Sequence, residues 1–149
     1  MEQQEIINKI ESILEDAKTA VLATCDRQGK VHLRWMTPAI LKYQPDAIYC
    51  FTVPSSEKLK QISANNNVEW MIQTRDLREI VNIQGTVNII DTPATKSELL
   101  ETLGPRLAAF WKANASPEEF VILETKIHSA VYLKPMKAQR QIVTFPETQ

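Results

Sequence analysis

A chain of 149 residues with a formal net charge of -1 fits one domain around one core, and its balanced charge supplies no concentrated basic surface for gripping nucleic acid. Hydrophobic residues make up 44% and charged residues 23%, an ordinary composition for a soluble protein, and no apolar run approaches the ~20 residues that a membrane-spanning helix needs. Cys25 and Cys50 form no Cys-x-x-Cys motif, and Met1-Glu2-Gln3-Gln4-Glu5 has neither a basic region nor an apolar signal core, so a reduced, cytoplasmic protein without membrane contact is expected.

The first predicted element is an amphipathic helix over 1–17. Ile6, Ile7, Ile10, Ile13, Leu14 and Ala17 recur at helical spacing, with Glu5, Glu11, Glu15 and Asp16 largely opposite. Thr19 to Thr24 then reads as a strand, Asp26-Arg27-Gln28-Gly29 as a turn, and Val31 to Met36 as a second strand. Alternation puts Arg34 and Met36 on one face of that strand and Trp35 on the other.

Ala47 to Thr52 is a third strand, entered through a turn at Pro45-Asp46. Ser56 stands at the N-cap of a helix that runs to about Asn65, with Glu57 in its first turn. Val68 to Thr74 and Ile80 to Ile90 are further strands, and Gly85 in the second suggests a bulge or bend. A helical insertion over 92–120 follows: Thr92-Pro93 opens it, Gly104-Pro105 breaks it, and Ser116-Pro117-Glu118-Glu119 reads as one more helix start. Two strands, around Lys126 to Leu133 and Gln139 to Phe145, complete a single domain over 1–149.

Strands in hairpins, helices at the periphery and only three glycines predict a mainly β protein, a small antiparallel barrel of six or seven strands. A doubly wound sheet needs strand–helix alternation and normally a Gly-rich phosphate turn, and the chain has neither.

Two segments carry the chemistry. Arg34-Trp35-Met36 ends one strand, and Phe51-Thr52 leads through Ser56 to Lys58 in the first turn of a helix. A cation is unfavourable beside the positive end of a helix dipole, and an exposed lysine is the plain reading of Lys58 taken alone. A phosphate would make use of that lysine, of the free backbone N–H groups and of the hydroxyls of Ser55 and Ser56. Arg34, taken alone, reads as half of a surface ion pair with Glu69 or Glu79. Together the two cations suit a phosphate attached to a flat ring, as in a flavin nucleotide. Trp111 fills core or reaches an aromatic ring across a subunit boundary. His32 and His128 have no metal-ligand spacing to any Cys, Asp or Glu, so no metal site is expected, and no nucleophile elbow, P-loop or catalytic Ser-His pair is present.

From about Lys18 to Tyr132 the order of these elements and residues resembles the pyridoxamine phosphate oxidase-like, FMN-binding split-barrel proteins, above all their small general-stress-protein branch. The resemblance implies that the segment matching Arg34-Trp35-Met36 contacts the flavin, partly through its backbone. It also implies that Phe51-Thr52 lies beside the isoalloxazine and that Ser56 and Lys58 approach the phosphate. It implies a homodimer with cofactor sites at the interface, each completed by the partner's Trp111. Three positions depart from the pattern. Trp35 stands where stress-protein relatives often carry proline. Glu57 stands where the oxidases usually have a second basic phosphate ligand. Tyr132-Leu133-Lys134-Pro135 lacks their arginine-rich substrate signature, so pyridoxamine phosphate oxidation itself is not expected.

The resemblance thus implies an FMN-dependent oxidoreductase acting on a small-molecule substrate, with no side chain marked as a proton donor. The alternatives are a flavin-binding or stress-sensing module without turnover, and a split barrel that takes haem or a deazaflavin. Haem would require His32 or His128 as axial ligand. A deazaflavin would require a broader basic groove than Arg34 and Lys58 provide.

Overall fold

Alternation of apolar and polar side chains builds most of this molecule. The computed structural model describes residues 1–53, 56–113 and 120–147, with the side chains of 105–113 left out. In chain order the elements are α1 (Gln3–Ala17), β1 (Ala20–Cys25), β2 (Val31–Met36), β3 (Ala39–Leu41), β4 (Gln44–Thr52), α2 (Glu57–Ala64), β5 (Asn67–Gln73), β6 (Ile80–Ile90), α3 (Pro93–Ala113), β7 (Val121–Lys134) and β8 (Gln139–Thr144).

The eight strands form one antiparallel sheet in the order β2-β1-β5-β6-β7-β4-β3, with β8 added to β7. The sheet curls into an open barrel. Its two terminal strands, β2 and β3, are joined only by Thr37-Pro38 and are not hydrogen-bonded to each other, so the barrel is split along that seam.

Two apolar clusters hold the elements in place. The larger fills the barrel, where Leu22, Ile48, Cys50, Trp70, Ile72, Val81, Ile83 and Tyr132 meet the buried stripe of α1. The smaller packs Leu99 and Leu103 of α3 onto Ala47, Tyr49 and Phe51 of β4 and onto Ile122. Residues 47–52 of β4 are therefore buried on both faces, which explains their unbroken apolar run. Trp70 extends the same economy to a polar atom, its indole N–H donating to Thr125 Oγ1 at 3.0 Å inside the barrel.

Three expectations are corrected. Pro45-Asp46 does not form the turn; Lys42-Tyr43 does, and Pro45 lies inside β4. Pairing of β4 with β7 begins only at Ala47, so the missing N–H of Pro45 removes no bond on that side. The three-residue strand β3, directly after Pro38, is too short to leave a period in the sequence and brings the count to eight. Gly104-Pro105 does not end a helix, since α3 is helical from Pro93 to Ala113. A proline removes one N–H from the ladder, and the buried Leu99 and Leu103 anchor the segment that precedes it. The expected helix start at Ser116 lies outside the described residues.

The bulge suggested by Gly85 is present, with the extra residue on the neighbouring strand. Gln84 pairs with Ser129 and Gly85 with Ile127, leaving His128 unpaired on β7. A Cβ on Gly85 would lie 2.2 Å from the carbonyl oxygen of Lys126, so only glycine fits there.

Candidate functional site

The hairpin register fixes the first cation. Leu22 pairs with Arg34 and Thr24 with His32, which makes Thr24 the diagonal neighbour of Arg34 on one face. The guanidinium, half-buried, donates to Thr24 Oγ1 at 2.7 Å, to Gln61 Oε1 at 3.0 Å and to the Leu22 carbonyl at 3.4 Å. Thr24 in turn donates to Gln61 Oε1 at 2.6 Å. Gln61 is on α2, so this closed set of bonds also ties that helix to β1.

The second cation stands on the same helix, three residues earlier. Lys58 Nζ donates to Thr52 Oγ1 at 2.9 Å, and Ser56 Oγ lies 3.4 Å from the same oxygen. Ser56 occupies the N-cap position, yet its hydroxyl makes no capping hydrogen bond and faces Thr52 instead. Burial lowers the pKa of Lys58 from its ordinary value, and the nearby Arg34 charge lowers it further against an opposing effect of Cys50. Burial likewise lowers that of Arg34 and pushes the Cys50 thiol up to about 12. Two cations thus stand close enough to repel each other, and among the described residues neither is ion-paired with a carboxylate. Like charges brought together in this way are unfavourable unless an anion joins them.

The carboxylates expected to compete lie elsewhere. Glu79 binds Lys9 at 2.9 Å and accepts a short hydrogen bond from Tyr132 Oη. Glu69 is exposed on the outer face of β5. Glu57, on the first turn of α2, points to solvent with its side chain 79% exposed and among the described residues pairs with Lys60, so it does not oppose an anion at Lys58.

The remaining singled-out residues divide. Thr52 is buried beside Lys58, and Phe51 is buried against Phe120 with ring centroids 6.1 Å apart. Met36 shares the Arg34 face and packs at the rim of the barrel core, whereas Trp35 faces outward and is 67% exposed. The side chain of Trp111 lies outside the described residues. His32 Nε2 is 2.9 Å from the Asp26 carboxylate and His128 Nε2 is 3.0 Å from Thr86 Oγ1. No group of three or more His, Cys, Asp or Glu positioned to hold a metal occurs among the described residues. Sequence reasoning passed over Thr24 and Gln61. The i, i+3 spacing of Lys58 and Gln61 on α2 was the signal available for the second of them.

Tyr49 Oη donates to Glu124 at 2.7 Å on the α3 side of the sheet, and burial followed by that carboxylate raises the phenol pKa. The pair lines no part of the cation site and serves the packing of β4 on β7.

Comparison with known proteins gives a family and a fold. The family model described as pyridoxamine 5'-phosphate oxidase like matches residues 5–145. No curated protein matches the chain. Among solved structures, general stress protein 26 from Bacillus anthracis str. Sterne superposes with a TM-score of 0.73 at 21% identity, covering 95% of this chain and 99% of the other. A heme binding protein from Mycobacterium smegmatis gives 0.72 at 12% identity, covering 93% of this chain and 57% of the other. An F420 reductase gives 0.65 at 21% identity over 83% of this chain and 95% of the other. At these identities the structural likenesses establish the split-barrel fold. Among the described residues no helix is long and apolar enough to cross a membrane. With the family model spanning nearly the whole chain, the protein belongs to the pyridoxamine 5'-phosphate oxidase-like family.

Proposed function

We propose that this protein binds FMN and acts as an FMN-dependent oxidoreductase on a small-molecule substrate, as a cytoplasmic homodimer. The observation that carries the reading is the unneutralised pair Arg34 and Lys58, half-buried between β2 and α2 and surrounded by hydroxyls. A phosphate monoester fits that donor set: two cations, the Ser56 hydroxyl, and the first-turn N–H groups of α2, which no side chain caps. Bound FMN would supply the redox chemistry, exchanging a hydride or electrons with the substrate.

The side chains then have separate tasks. Arg34 and Lys58 neutralise the phosphate. Thr24 and Gln61 accept hydrogen bonds from Arg34 without cancelling its charge, which keeps the guanidinium fixed and fully cationic. Buried Thr52, beside Lys58, would give the ring a rigid neighbour, and Phe51, whose side chain turns to the α3 side, would meet it through its backbone. The backbone of Arg34-Trp35-Met36 offers edge groups to it, because β2 is a terminal strand with one unpaired side.

Dimerisation is supported by the outer face of β2. Leu33 and Trp35 are 69% and 67% exposed and form one apolar patch, an area that a second copy of the chain would cover. The partner's Trp111 would reach the site in such an assembly.

The haem reading draws on the heme binding protein among the structural neighbours. Each histidine already directs its Nε2 at a neighbour, Asp26 or Thr86, which favours FMN over an axially ligated haem. A deazaflavin, suggested by the F420 reductase neighbour, brings a long anionic tail for which Arg34 and Lys58 are a small basic surface.

The test is an absorption spectrum of protein purified without added cofactor, repeated after addition of FMN and desalting. A retained two-banded flavin spectrum near one FMN per chain is expected. Loss of all flavin on desalting, or a Soret band after addition of haem instead, would overturn the assignment.

A further inference from the structure

On the outer face of the sheet one register line crosses five strands, running through Leu33, Ala23, Glu69, Gln84 and Ser129. A groove of about 380 Å³ lies along it, lined among others by Ala23, Val31, Asn67, Glu69, Gln84 and His128. Its shape depends on the bulge. The extra residue in β7 shifts the inward set from Leu123, Thr125 and Ile127 to Ala130 and Tyr132, and turns His128 out over the groove, where Thr86 holds it at 3.0 Å. The glycine at 85 permits the close approach of β6 and β7 behind it.

Among the described residues, Glu69 is the one carboxylate of the lining. Glu69 is exposed and is ion-paired with none of the described cations. Asn67 and Gln84 add amide carbonyls on either side, Ala23 and Val31 give an apolar floor, and among the described residues the lining contains no lysine or arginine, its one basic side chain being His128, which is engaged with Thr86. An anion here would meet a carboxylate without a counter-charge. An ammonium group would find a carboxylate and amide oxygens, with its hydrocarbon part on the floor. Thr24 borders the groove through its strand, but its side chain turns to the opposite face, where it accepts the 2.7 Å hydrogen bond from Arg34, so the sheet separates the groove from the cation pair.

We propose that this groove binds a small organic amine in its protonated form, with Glu69 as counter-ion and Gln84 and Asn67 as hydrogen-bond acceptors. Binding of the amine by this groove does not depend on the flavin reading. The same lining disfavours phosphorylated substrates, in keeping with the absence of an arginine-rich substrate signature near Tyr132.

Benzylamine and benzoate, matched in ring and opposite in charge, are suitable probes. Each is titrated into the full chain, with and without FMN, while backbone amides are followed by two-dimensional NMR. Benzylamine is expected to shift the amides of Glu69, Gln84 and Gly85, and Glu69→Gln to weaken it roughly tenfold, the equivalent of one charge-assisted hydrogen bond. Benzoate should leave these amides in place. Equal shifts with benzoate, unchanged affinity in Glu69→Gln, or no shift with benzylamine would each overturn the proposal. Flavin retention, read on the same samples, separates the two claims. Amine binding that depends on Glu69 in a protein holding no flavin would refute only the flavin reading, and retained flavin without amine binding would refute only the groove.

Discussion

Replacing Lys58 with methionine separates a ligand-binding lysine from a structural one. Without a ligand, the wild-type ammonium is half-buried, has one hydrogen bond to Thr52 at 2.9 Å and stands near Arg34 with no carboxylate among the described residues. Its pKa is lowered in the folded protein, so the unfolded chain holds this proton more tightly than the native state does. The charge therefore opposes folding at neutral pH, and that penalty fades as pH rises through the folded pKa. Lys58→Met removes the penalty and keeps the length of the side chain, while Thr52 retains Ser56 as a neighbour. The two effects oppose each other, and the ligand-free variant should unfold within about 1 kcal/mol of wild type, on the stable side.

FMN binding should respond in the opposite sense. A hydrogen bond between a cation and a phosphate contributes about 1.5–3 kcal/mol, so the affinity should fall roughly tenfold to a hundredfold. Quenching of flavin fluorescence gives the affinity, and urea unfolding with and without FMN gives the two stabilities. Wild-type affinity should also decline at alkaline pH as Lys58 loses its proton, earlier than an ordinary lysine would, and the variant should lack that limb. An unchanged affinity would refute the phosphate assignment. A ligand-free protein destabilised by several kcal/mol would show that Lys58 is a packing residue and that the repulsion argument is wrong.

Other residues give independent tests. Gly85→Ala places a Cβ 2.2 Å from a backbone oxygen and should destabilise the fold by at least about 2 kcal/mol in urea unfolding; a smaller loss would mean that the bulge relaxes easily. Leu33→Asp, at a position 69% exposed, should leave the fold within about 0.5 kcal/mol of wild type yet give a monomer in light scattering where the wild type gives the proposed dimer, and a wild type and variant of equal mass would refute an interface on β2. The Tyr132 hydrogen bond, followed by Lys9, holds the Glu79 carboxyl below its ordinary pKa, so its contribution is present near neutrality and is lost as pH falls through the folded value. Glu79→Gln should reduce stability by about 1 kcal/mol near pH 7 and by little near pH 3, flattening the acid limb; a uniform loss at both would mean that charge is not the cause.

Much of the architecture was legible because long elements repeat their periods. The burial stripe of α1, the opposite facing of Arg34 and Trp35, and the bounds of β6 at Ile80 and Ile90 all follow from spacing alone. Ala39–Leu41 escaped because three residues carry no period, and Gly104-Pro105 misled because a local stop signal was weighed without the packing of Leu99 and Leu103. At the site, Arg34 and Lys58 were legible as a pair of cations suited to a phosphate, though each alone read as an ordinary surface residue. Gln61 was not, since an amide on a helix is commonplace until the fold sets its oxygen 3.0 Å from a guanidinium and 2.6 Å from a threonine. Glu69 was weighed only as a partner for Arg34, because the face it occupies is set by pairing across β1, β5 and β6.

The seam between β2 and β3 bears on how this chain reaches its native state. The pairings that make the sheet a barrel, β1 with β5 and β4 with β7, join segments far apart in sequence and so carry the main loop-closure entropy. Thr37-Pro38 couples them. Docking of the first hairpin on β5 brings β3 and β4 along on a two-residue tether, with the proline limiting its backbone freedom, and the second docking becomes a search over a short distance. The split in the barrel is thus a place where a covalent link does the work of a hydrogen-bonded ladder, turning two remote encounters into one encounter and its consequence.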